Sequence, residues 1–247
     1  MNPAVRPLSR LLAVACLALV AGTATANAPR DISAGELALL PEYCPDTQTF
    51  TPHGSPDGPT ERQARWVGIL GKPFWGLHHY CWSLINARRA TQPGLTRGQR
   101  EHLYRWAIGD TMYVVRLASP EFPLLPEMFL RIGQYQNELG LPALALEAFE
   151  ASRNAKRDYW PAYLHIAQVY TRIGRNADAL RTLDEGLEAI PGSPQLAELR
   201  QRILATPAGK RAASGVRDPA ARPPVARASA PASAPVSAPA SAPAPRT

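Results

Sequence analysis

Cysteine is scarce in this chain. Three occur among 247 residues, and none stands in a C-x-x-C or C-x-x-C-H pattern. That removes covalent haem attachment and the common zinc spacings. No glycine-rich phosphate loop is present. The carboxylates are scattered without an assignable acid–base pair, and His53-Gly54-Ser55 has no base and orienter beside it. No catalytic residue, cofactor or enzyme activity is therefore expected. Net charge is also missing where it would matter. Of the 27 basic side chains, Arg6 and Arg10 open the chain and six follow Pro207, leaving 19 against 19 acidic ones over residues 27–207. A neutral middle gives no reason to expect a nucleic-acid partner, despite the formal charge of +7.

Long apolar runs are confined to the beginning. Leu11–Ala21 follows Arg6 and Arg10 and precedes Ala24-Thr25-Ala26, a small-x-small site. Residues 1–26 are read as a secretory signal peptide, too short to span a bilayer, so no transmembrane segment is expected in the mature protein. The signal and the Ala/Arg/Pro-rich composition point to an exported bacterial protein, with the periplasm as its compartment. Cys16 supports a second reading, a lipid anchor. At the other end, SAPASAPVSAPASAPAP (229–245) cannot bury a core. Residues 207–247 are read as a disordered, basic Ala/Pro/Ser-rich tail, either a plain linker or a weak contact to an anionic envelope surface.

The part between contains a repeat at a spacing of 34. FLRIGQYQNELGLPALALEAFEAS from Phe129 aligns with YLHIAQVYTRIGRNADALRTLDEG from Tyr163. Ile132 meets Ile166, Gly133 meets Ala167, Gly140 meets Gly174, Ala145 meets Ala179 and Phe149 meets Leu183. Each unit reads as helix, glycine turn, helix, with small residues where the helices approach. Pro142 suits a first turn, Asn176 is expected to cap the second helix of the second unit, and Pro191 stops it. The period, the small–glycine–alanine order and the closing proline resemble the tetratricopeptide repeat family over residues 126–193. The first unit departs from the pattern at Gln136 and Arg157, where the second has Tyr170 and Pro191.

Two units need flanking helices. Ser193-Pro194 opens a covering helix over 194–206, with Leu196, Leu199 and Ile203 on one face. Upstream, Thr96-x-x-Gln99 is a capping box opening a helix of about 20 residues. With the helix over 73–89 it makes a hairpin within 73–120, a candidate degenerate repeat. Ser33-x-x-Glu36 and Thr60-x-x-Gln63 mark short helices in an otherwise irregular 27–72 segment. The expected fold is all-α: a helical-hairpin, repeat-type solenoid with a disulfide-pinned N-terminal segment and a disordered C-terminal tail.

In an exported chain, Cys44 and Cys81 most simply form a disulfide that pins the proline- and glycine-rich segment between them. The competing reading takes His78 and Cys81, three apart on one helix face, as ligands of a metal or haem site. His78 and His79 are otherwise expected to be packing histidines bonded to backbone, and Trp66, Trp75, Trp82, Trp106 and Trp160 to be core. The resemblance implies a concave groove lined by the first helix of each unit. Its candidates are Leu130, Arg131, Gln134 and Asn137, then Leu164, His165, Gln168 and Arg172. Gln134 and Gln168, one repeat apart, suit hydrogen bonds to an extended peptide. A carboxylate-clamp specificity does not fit, because the family pattern has lysine and asparagine where Leu130 and Gln134 stand. The expected function is an interaction scaffold for a protein or extended peptide.

Overall fold

The structure is a computed structural model that describes residue 29, residues 31–48 and residues 58–215. The signal-peptide reading with Cys16, His53 and Ser55, and tail residues 216–247 lie outside the described residues. Within them the chain is helical and no strand forms. The helices are α1 (Ala34–Leu37), α2 (Glu61–Leu70), α3 (Leu77–Ala90), α4 (Arg97–Leu117) and α5 (Leu125–Glu138). They continue with α6 (Pro142–Ala155), α7 (Trp160–Arg172), α8 (Asn176–Ala189), α9 (Pro194–Ala205) and α10 (Pro207–Ala213). No helix among the described residues is long and apolar enough to cross a membrane.

The helix starts follow local chemistry. Ser33/Glu36, Thr60/Gln63 and Thr96/Gln99 each form a full capping box, satisfying backbone N–H groups that the first turn leaves without partners. Pro142, Pro161 and Pro194 sit in first turns, where a missing N–H does no harm. Asn176 departs from its expected role. Arg175 is the capping position, and Asn176 is the first helical residue and buried. The turn glycine one residue earlier already positions the chain, so a side-chain cap is not required.

The two repeat units are α5–α6 and α7–α8, and their turns match. Gly140 and Gly174 have φ of 73° and 79°, the left-handed region that glycine tolerates best. After each, Leu141 N–H donates to the Gln136 carbonyl at 2.9 Å and Arg175 N–H to the Tyr170 carbonyl at 2.8 Å. This bond back over the last helical turn satisfies carbonyls that a helix end leaves free. The small positions Gly133, Ala145, Ala167 and Ala179 are all buried.

A series of apolar clusters runs along the stack. Phe74, Leu77, Tyr80, Val114 and Met128 join α3, α4 and α5. Leu130, Phe149, Ile166 and Val169 join the two units. Tyr163, Ala179, Leu183, Leu196, Leu199 and Ile203 join α7, α8 and α9, so α9 covers the last hairpin as expected. Of the five tryptophans, Trp82 is in the core, while Trp66, Trp75, Trp106 and Trp160 are half-buried. Their ring size leaves one edge at the surface even where the face packs.

The tail boundary at Pro207 requires correction. Residues Pro207–Ala213 form α10, capped by the Thr206 side chain on the Gly209 N–H at 3.0 Å. This helix packs on α8 and α9. Pro207 sits in its first turn, so the proline that suggested a break instead starts a helix. The close approach depends on Gly209, where a Cβ would lie 1.9 Å from the Ile203 carbonyl oxygen. Gly209→Val, and truncation after Thr206, should each lower the melting temperature by a few degrees. An unchanged melt in both would show that α10 adds nothing to the stack.

Candidate functional site

Helix α5 turns Arg131, Gln134 and Asn137 toward one side, and α7 turns His165, Gln168 and Arg172 to the same side, because each set recurs at three- to four-residue spacing. All six line a cavity of about 1020 Å³. Two groove candidates do not belong there. Leu130 is buried and packs with Phe149, Ile166 and Val169 between the units. Leu164 is half-buried against the cluster that includes Leu196 and Leu199. Both are large aliphatics next to a core that had room for them, and burial outweighs a place on a polar groove.

Phe149, from α6, lies under the groove. Its ring stacks on His165 with centroids 5.1 Å apart and planes 17° apart. Burial, followed by the charge of Arg131, pushes the His165 imidazole below its ordinary value. The neutral ring accepts at Nε2 from the Gln134 amide, 3.0 Å away, which leaves the proton on Nδ1. The Gln134 oxygen remains for a ligand, as does Gln168 beside it. Arg172 donates to the Asn137 side-chain amide oxygen, Oδ1, at 2.5 Å. Arg131 is half-buried among Tyr80, Tyr135 and Glu127. Burial opposes its charge, but these neighbours outweigh burial and hold its value above the ordinary one.

The other wall was not anticipated. Leu39, Leu40 and Pro41, just after α1, and Arg88 from α3 close the groove opposite α7. Two ties hold the N-terminal segment there. Cys44 and Cys81 are disulfide-bonded with Cα atoms 5.9 Å apart. Arg89 makes a two-point contact to Glu36, Nε to Oε1 at 2.5 Å and Nη2 to Oε2 at 3.0 Å. Further along, Asp46 accepts from Arg62 and Trp66. The sequence contained the signals for this wall, a capping box at Ser33 and a cysteine on α3, but nothing in it pairs Glu36 with Arg89, 53 residues away.

The Arg89 hydrogen bond is the main cause that lowers the Glu36 carboxyl to about 2 from 4.5. A folded value below the unfolded one means that the contribution is complete above about pH 4.5 and is lost as pH falls toward 2. Between pH 5 and 2 the denaturation midpoint of Arg89→Ala should therefore fall less than that of the unaltered protein. Parallel curves would remove this pair from the acid response.

The His78–Cys81 ligand pair does not form. The Cys81 sulfur is bonded to Cys44 and buried, so it is no ligand. Among the described residues no three His, Cys, Asp or Glu side chains are grouped to hold a metal. His78 Nδ1 lies 3.2 Å from the Trp75 carbonyl, as a packing histidine should. His79 differs from expectation. It meets the buried Asp110 carboxylate at 2.9 Å instead of backbone, and its ring lies against Tyr113.

Residues 138–203 match the tetratricopeptide repeat family model. The match runs from the end of α5 into α9 and takes in the whole second unit. No curated protein and no solved structure matches the chain. The repeat match and the helical fold support a protein-interaction scaffold.

Proposed function

We propose that this repeat-bearing protein is an exported bacterial envelope adaptor that holds an extended segment of a partner protein in the α5–α7 groove, within a periplasmic or outer-membrane assembly. The observation that carries the reading is the pair Gln134 and Gln168. They stand one repeat apart on a groove of about 1020 Å³. A glutamine amide offers a donor and an acceptor, the two groups an extended backbone presents. Export rests on the leader sequence and on a disulfide, which persists in oxidising compartments. The basic residues beyond Gly215, among them Arg217, Arg222 and Arg227, give a weak, salt-sensitive contact to an anionic envelope surface.

A photo-reactive residue at position 168 in cells should give crosslinks to a partner protein, whereas one at the exposed Glu147 position on α6 should not. The double variant Gln134→Ala, Gln168→Ala should weaken partner retention about tenfold or more, and Gln168→Ala alone, which leaves the Gln134–His165 bond in place, should weaken it with an unchanged melt. Equal crosslinking from both positions, or retention unaffected by the double variant, would overturn the groove as the binding site.

A further inference from the structure

Three inner helices each place one arginine on the groove: Arg88 from α3, Arg131 from α5 and Arg172 from α7. Three glutamates share the lining, but they do not neutralise the arginines evenly. Glu36 is occupied by Arg89. Glu127 reaches Arg131 only at 3.5 Å, the limit of a hydrogen bond. Glu138 is exposed at the end of α5. The Arg131 Nε is buried without a hydrogen-bond partner, an unfavourable position for a charged donor. Beside it His165 is held neutral, partly by the field of Arg131. The floor at the middle helix is thus a guanidinium with one distant carboxylate, Glu127, and the neutral Tyr80 hydroxyl beside it.

We infer that the groove selects an acidic segment, with an aspartate or glutamate side chain of the bound chain seated on Arg131 between the flanking charges of Arg88 and Arg172. This rests on the peptide-groove reading above. A carboxylate supplies the two acceptors that one long contact to Glu127 does not, and guanidinium–carboxylate pairs are the stronger, directional kind. The ligand is an internal stretch and not a chain end. Arg131 stands on the central helix, and the cavity continues from it both toward Leu40 and Arg88 and toward Gln168 and Arg172. Gln134 and Gln168 then hold the backbone, and the arginine sets the residue preference.

The test is selection of random decapeptides, displayed with both ends joined to a carrier, against the full chain. The expected result is a fixed position enriched in Asp or Glu. In a selected peptide made synthetically with blocked ends, Glu→Gln at that position should weaken binding about tenfold. That loss should disappear with Arg131→Gln and shrink as salt rises. Should Arg131→Gln fail to fold, Arg131→Lys, the peptide substitution and the salt series still decide. Selected peptides without an acidic position, or an acidic position indifferent to Arg131 and to salt, would overturn the inference while leaving the groove reading intact. No peptide selected at all would overturn the groove reading itself.

Discussion

Removing the Cys44–Cys81 bridge should lower the unfolding free energy by about 3–4 kcal/mol, from the chain-entropy value for a loop of this length. The two residues are 37 apart in sequence. Part of the segment between them is rich in proline and glycine. The bridge also does local work. Both cysteines are fully buried in the cluster that joins Tyr43 to Leu77, Val114 and Met128. The double variant Cys44→Ser, Cys81→Ser exchanges that contact for two hydroxyls in an apolar site, so the loss should be at least as large as the entropic figure. Urea denaturation of the oxidised protein, the reduced protein and the double variant separates the two contributions. A midpoint that does not move in any of them would show that the N-terminal segment is not part of the cooperative unit. Thiol titration of the denatured, unreduced protein should find neither cysteine free.

Gly133→Ala should be destabilising by about 1–3 kcal/mol, although alanine is the better helix former. Gly133 is inside α5 with no need for a special backbone angle. Its reason is space. A Cβ there would lie 2.5 Å from Cδ1 and Cε1 of Phe149. The ring cannot retreat, because it is fully buried between the units and stacked on His165. Gly109 is the control. It lies inside α4, exposed, with nothing within 4 Å of an added Cβ. Gly109→Ala should stabilise by up to about 1 kcal/mol. If both substitutions raise the melting temperature, helix propensity and not packing governs Gly133. Gly133→Ala combined with Phe149→Leu should recover part of the loss and weaken His165 as a fixed acceptor for Gln134.

Much of this architecture was legible because it is local. The capping boxes, the glycine turns and the small-residue positions are each decided within a few residues, and the 34-residue period repeats them. The polar groove candidates on α5 and α7 came from the resemblance to the repeat family, which assigns the groove to the first helix of each unit. Leu130 and Leu164 were misplaced because spacing gives a direction, whereas burial depends on which neighbour arrives there. The wall formed by Leu39–Pro41 and the Glu36–Arg89 and His79–Asp110 pairs depend on contacts between distant segments, to which no periodic signal corresponds. The start of the tail was misread for a simpler reason: proline both ends helices and begins them, and composition alone does not say which.

The Cys44–Cys81 bond also decides how the molecule bears tension. A force applied through the leading segment reaches Cys44 and crosses directly to Cys81 on α3, bypassing the residues between. Those 36 residues, α2 among them, carry no load. At about 3.3–3.6 Å per extended residue, roughly 120–130 Å of contour length stays hidden until the bond is reduced. A tether pulled from its amino-terminal side would therefore behave as a short, stiff link in an oxidising compartment and as a long, compliant one once its thiols are free.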